Sequence, residues 1–122
     1  MAKILLVEDD LALVRMYQIV LEKAGFQIDS ALDGQEGLEK IKNGGPDLVL
    51  LDLVLPKKDG FEVLKEVQSD GQVQVPIVCL SVLSQKEDIE KSKNLGAKDY
   101  LIKTEVLPDE LVRRIKSLIK SA

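Results

Sequence analysis

Four short apolar runs in this chain each end on side chains equipped for chemistry. Glu8, Asp9 and Asp10 follow Ile4 to Val7, Asp52 follows Leu48 to Leu51, Ser81 follows Ile77 to Leu80, and Lys103 follows Tyr100 to Ile102. Asp52 is the most demanding of them. Leu53 to Leu55 continues the apolar character on its far side, and a carboxylate in such surroundings is expensive to bury unless something pairs with it. Three or more carboxylates brought together repel one another unless a cation intervenes, and hard oxygen ligands select Mg²⁺. Magnesium in turn favours a phosphate. Lys103 and Ser81 supply a positive charge and a hydroxyl donor for phosphoryl oxygens, while the Asp52 carboxylate is a competent nucleophile for making an acyl phosphate.

Taken singly, each group has a plainer role. Glu8, Asp9 and Asp10 could cap a helix, where acids favour the positive end of the dipole. Asp52 could hydrogen-bond the loop after a strand, Ser81 could be an ordinary loop hydroxyl, and Lys103 a solvated amine. Separate run ends that together make a sensible phosphate and metal site are hard to ascribe to capping.

For these side chains to meet, the runs must be neighbouring strands. Ile4 to Val7, Leu48 to Leu51, Ile77 to Leu80 and Tyr100 to Ile102 lack polar alternation, as strands of a parallel sheet do when helices cover both faces. Gln27 to Ala31 alternates and suits an edge strand. Between the runs the period becomes helical. Leu13, Tyr17, Val20, Leu21 and Ala24 share one face, with Gly25 where a helix stops. Asp33 with Glu36, and Ser84 with Glu87, match the capping box that opens a helix. Phe61, Leu64 and Val67 form a third stripe, and Leu111, Ile115 and Leu118 a last one, with Pro108 near its first turn. Strand and helix alternate five times, which argues for a parallel sheet with right-handed crossovers in a three-layer α/β domain. In open sheets of this kind ligands bind beyond the carboxyl ends of the strands, so the four run ends should converge on one crevice.

Composition agrees with one ordinary globular domain. The chain has 122 residues, 45% hydrophobic and 31% charged, with a net charge of −4 and both signs interspersed. That pattern carries no nucleic-acid footprint and no polybasic membrane patch, so direct DNA binding is not expected. Cys79 is the single cysteine; it rules out an intrachain disulfide and points to a reducing cytoplasm. The opening MAKILLVEDD is too short in its apolar part for a signal peptide or a membrane span, and a cytoplasmic location is expected.

At these residues the chain resembles the receiver domain of two-component response regulators. KILLVEDD, DLVLLDLVLPKKDG, PIVCLSV and GAKDYLIK match the family's blocks in order and spacing, over essentially the whole chain. The resemblance implies a flavodoxin-like fold, with five parallel strands in order 2-1-3-4-5 and five helices, and a receiver domain over 1–122, a span that fits a stand-alone regulator and an excised receiver equally. It implies that Asp52 is the phosphoacceptor and that Glu8, Asp9, Asp52 and the backbone carbonyl of Val54 hold Mg²⁺. Ser81 takes the place of the switch hydroxyl, Tyr100 of the switch aromatic, and Lys103 of the family's lysine. A sensor histidine kinase or phosphotransfer protein would donate the phosphoryl group. Phosphorylation would switch the surface of the fourth helix, fifth strand and fifth helix, where an output protein docks or a homodimer forms; Asp99 and Arg114 fit part of such a charge pattern. Such a module is not a turnover enzyme beyond self-catalysed phosphotransfer and slow autodephosphorylation.

The chain departs from the family pattern at several positions. Thr104 stands where relatives carry a proline after the lysine, and a trans Lys103–Thr104 bond is expected because a cis bond there costs about 2.5–4 kcal/mol. Val82 replaces a very small residue and could narrow access to Asp52. Val54 and Leu83, which flank the path of hydrolytic water in the family, cannot orient it, so a long-lived acyl phosphate is expected. The fourth helix has only Ile89 and Leu95 as strong apolar anchors and should be held loosely. Two other functions fit less well: a receiver-like docking domain that is never phosphorylated, and a haloacid-dehalogenase-type phosphohydrolase. The latter wants an acid two residues after its nucleophile, where this chain has Val54.

Overall fold

The computed structural model describes residues 1–120. In chain order the elements are β1 (Lys3–Val7), α1 (Leu11–Lys23), β2 (Gln27–Ala31), α2 (Gly34–Lys42), β3 (Leu48–Leu51), α3 (Gly60–Ser69), β4 (Ile77–Ser81), α4 (Lys86–Asn94), β5 (Asp99–Ile102) and α5 (Pro108–Lys120). The five strands form one parallel sheet in the order β2-β1-β3-β4-β5. This is the flavodoxin-like α/β arrangement expected from the sequence, with helices on both faces.

The absence of polar alternation in β1, β3 and β4 now has its physical reason, since both faces of these strands are covered. Leu5, Val7, Val49, Leu51, Ile77 and Cys79 pack with Leu38 and Ile41 of α2 and Val63, Leu64 and Val67 of α3. Ile4, Leu6, Leu48, Leu50, Val78 and Leu80 pack on the other side with Val14, Tyr17 and Leu21 of α1 and Leu111 and Ile115 of α5. The alternating segment 27–31 forms β2 at one edge, as its mixed pattern required.

Punctuation decides where the helices begin and end. Asp10 caps α1 through the N–H groups of Ala12 and Leu13 at 2.9 and 3.3 Å. That helix ends in a Schellman motif: Phe26 N–H reaches Leu21 O, and Gly25, at φ 97°, bonds Glu22 O. Its buried face is Val14, Tyr17 and Leu21. The stripe expected from the sequence sits slightly off this centre, because Leu13, Val20 and Ala24 are only half-buried at its margins. Asp33 caps α2 on Glu36 N–H at 2.8 Å, and Glu36 closes back on Leu32 N–H, one residue before the position a capping box specifies. Ser84 does not cap α4. Gln85 holds that place and makes no side-chain cap bond, because α4 begins one residue later than the Ser84–Glu87 pattern implied.

Candidate functional site

Register brings the chemistry together. Val7 and Leu51 are partners in the β1–β3 ladder, and each ladder runs one bond further: Glu8 N–H donates to Ala31 O at 3.0 Å and Asp52 N–H to Val7 O at 3.1 Å. Glu8 and Asp52 therefore stand level, just past the carboxyl ends of adjacent strands. On the other side Ser81 pairs with Ile102, and Lys103 N–H donates to Ser81 O at 2.9 Å. β5 lies two strands from β3, a gap of about 10 Å at the usual strand spacing. A lysine stem can cross that distance, and Lys103 does. Its Nζ bonds Asp52 Oδ2 at 2.9 Å and forms a close ion pair with Glu8 Oε1.

All three groups are buried. Glu8 is 2% exposed and Asp52 5%, and the Lys103 side chain is 8% exposed. Burial pushes the Glu8 carboxyl above the ordinary carboxylate range, while the bond from Lys103 and the Asp10 N–H donated to Oε2 at 3.1 Å pull against it. Burial works against the Lys103 charge as well. The hydrogen bonds it donates to Glu8 and Asp52, together with the charges of those carboxylates, outweigh it and hold the amine above its usual value. The charges thus coexist only because they pair, as low dielectric requires.

Asp9 is exposed at the rim. It nevertheless offers a carboxylate oxygen that lies with those of Glu8 and Asp52 inside a 4.8 Å span. Three hard oxygen donors that close are a fit for a small dication such as Mg²⁺. Asp10 is not in that set, having gone to the helix cap. The plain capping role therefore holds for one of the three consecutive acids and fails for Glu8.

The remaining expected residues sit around this centre. Val54 N–H donates to Asp52 Oδ1 at 3.2 Å, and Val54 is 54% exposed. Ser81 is fully buried, its Oγ accepting from Leu83 N–H at 3.3 Å. Tyr100 is already turned inward, its hydroxyl donating to Leu83 O at 2.6 Å; burial pushes that phenol up to about 12. Val82 is 55% exposed. Among the described residues no peptide bond is cis, so Lys103–Thr104 is trans as expected.

Tyr17 was legible only as a core residue, yet it also belongs near the site. Burial raises its phenol, and Lys103, Glu8 and Asp52 all act on it electrostatically. An aromatic at helical spacing carries no signal that separates these two roles. Gly60 is a second such case: a Cβ there would stand 2.4 Å from Asp52 O.

A sheet of this order with an acid pair, a buried aspartate and a lysine at its carboxyl edge defines the receiver class, and the comparisons agree. The response regulator receiver domain model matches residues 4–116. The chain is 42% identical over 114 residues to the transcriptional regulatory protein DltR of Streptococcus agalactiae, covering 93% of this chain and 50% of that protein. It is 36% identical over 118 residues to the alkaline phosphatase synthesis transcriptional regulatory protein PhoP of Bacillus subtilis, covering 97% and 48%. The receiver domain of the Francisella response regulator 1452 superposes with a TM-score of 0.92 at 29% identity, over 99% of this chain and 98% of that one. The BeF3-activated N-terminal receiver domain of Klebsiella pneumoniae RstA does so with 0.89 at 32% identity, over 96% and 97%.

The chain belongs to the response regulator receiver domain family. It is a phosphorylation-controlled signalling module of the two-component type; membership of this family decides against the phosphohydrolase reading and does not favour the docking-only one. It spans about half the length of the curated relatives it matches.

Proposed function

We propose that Asp52 accepts a phosphoryl group from the phosphohistidine of a sensor histidine kinase or phosphotransfer protein. The observation that carries this is Lys103, held between two buried carboxylates at the carboxyl ends of β1 and β3. An Asp52 oxygen attacks phosphorus, the phosphorus–nitrogen bond breaks, and the donor imidazole leaves as the acyl phosphate forms. Lys103, freed from part of its pairing with Asp52, follows the negative charge onto a phosphoryl oxygen. Glu8, Asp9, Asp52 and the Val54 carbonyl would hold Mg²⁺, which when bound neutralises the carboxylates and stabilises charge on the phosphoryl oxygens.

The new group adds a charge of about −1.5 to −2. Ser81 is the hydroxyl that answers it, releasing Leu83 N–H, and Tyr100 holds the loop through Leu83 O. Because Tyr100 is already inward, phosphorylation selects an arrangement the fold can reach unaided. The readout is the α4–β5–α5 surface, offered to an output protein or domain or to a second copy of the chain. The assignment covers one receiver domain over 1–122, acting in the cytoplasm and turning over nothing but its own phosphoryl group.

Incubation with acetyl phosphate and Mg²⁺, followed by intact-mass and peptide mapping, tests the reading. One phosphoryl group should appear on Asp52 and vanish in Asp52→Asn. A label elsewhere, or one that survives the substitution, would overturn it.

A further inference from the structure

The loop after Asp52 contains a strained turn, and another part of the fold holds it. Lys57 has φ 68°, the positive value among non-glycine described residues, and Lys58 N–H donates to Pro56 O across it at 2.8 Å. A bond of that reach around a positive-φ residue is the rare, strained form of γ-turn. Such backbone persists only where its surroundings over-determine it.

Those surroundings are the start of α2. Gly34 N–H donates to the same Pro56 O at 3.3 Å. A Cβ at position 34 would stand 1.8 Å from Lys58 O, so glycine alone lets the two backbones meet. Asp33 is fixed as the cap by its Oδ1, which leaves Oδ2 facing Lys57 Nζ at 3.6 Å. That exposed ion pair is weak by itself, and the weight falls on Gly34. At the base of the loop Gly60 N–H closes on Leu53 O at 2.9 Å. The segment is pinned at tip and base, and Val54, bonded to the Asp52 carboxylate, lies between the pins.

We propose that Gly34, with Asp33, is a positioning residue: the start of α2 clamps the β3–α3 loop and so holds Val54 and the Asp52 carboxylate in the geometry a divalent ion needs. The inference rests on the part of that reading which makes Glu8, Asp9 and Asp52 the metal ligands.

Titration of the unphosphorylated chain with Mg²⁺, followed through the amide signals of Leu53, Val54 and Lys58, reads the clamp without any phosphoryl transfer. In Gly34→Ala the half-saturating Mg²⁺ concentration should rise roughly tenfold, as for lost support behind a metal site. Lys57→Gly guards against a folding failure, since glycine accepts positive φ freely yet lets the turn wander. It should shift the half-saturation the same way by a smaller factor with its melting temperature held. Unchanged Mg²⁺ affinity in Lys57→Gly and in any folded Gly34→Ala, with or without a lower melting temperature, marks a merely structural loop and overturns the proposal. Acetyl phosphate loading runs in parallel. A wild-type chain that binds Mg²⁺ but gains no phosphoryl group on Asp52 sinks the acceptor reading, while the titration still decides the clamp. A wild-type chain that binds no Mg²⁺ sinks both.

Discussion

Val54 and Leu83 are apolar where, by the family likeness, a polar side chain would aim water at the acyl phosphate. Val54 faces solvent, and Leu83 is pinned by Ser81 Oγ on its N–H and by Tyr100 on its carbonyl. Neither side chain can accept a proton from water. The phosphoryl group on Asp52 is therefore expected to outlast seconds, and Val54→Asn to shorten its life, both followed by mass after the donor is removed. Loss of the wild-type label within seconds overturns the expectation. Tyr100 makes a second residue-level prediction. Its phenol is pushed up to about 12 from an ordinary 10.0, so the folded chain keeps a proton that the unfolded chain releases. The stability this contributes is full below pH 10 and is lost as pH rises toward 12. Burial raises Tyr17 too, and the chain has two tyrosines. A spectrophotometric titration of folded Tyr17→Phe, which leaves Tyr100 as the sole tyrosine, should show no tyrosinate step at pH 10, and a normal step there would count against the inward Tyr100.

At the scale of elements, the helices are not equally anchored. α1 has an aspartate cap and buries Val14, Tyr17 and Leu21. α4 lacks a side-chain cap, and Ser92 is its buried residue, with Ile89 and Leu95 only partly covered. Lys91 lies 4.3 Å from the Phe61 ring centre, a contact that contributes about 0.5–1 kcal/mol. α4 should thus show the fastest amide exchange of the five helices, and Phe61→Leu should speed it further. Slower exchange in α4 than in α1 would remove the case for a loosely held switching helix. The loose element is also the one that follows Ser81, so a change at the phosphoryl site meets little resistance there.

The molecule as a whole is two separate cores divided by one sheet. Leu64 lies in the layer under α2 and α3, and Ile115 in the layer under α1 and α5. Each is essentially inaccessible, at 1% and 0% exposure, so truncation to alanine should cost about 2–5 kcal/mol. Because the sheet separates them, the two losses should add to within about 0.5 kcal/mol. Urea unfolding of Leu64→Ala, Ile115→Ala and the double variant measures this; strong coupling would mean the sheet transmits repacking from one face to the other.

What the sequence determined by itself is whatever depends on near neighbours in the chain. The segments 27–31 and 48–51 emerge as strands with the bounds read from pattern alone, because strand burial repeats over a few residues. The stop at Gly25 and the start at Asp33 were legible for the same reason. The types of the reactive side chains were legible too, and the family likeness supplied the strand order. Only the tertiary structure decided which carboxylate does what. Glu8 and Asp10 are two residues apart with the same charge, yet one pairs with Lys103, 95 positions away, and the other caps α1. The clamp of Gly34 on Pro56 and Lys58 was equally hidden, since a glycine at the first position of a helix reads as turn punctuation. These contacts follow from which strands lie side by side and in what register, and no local period encodes that.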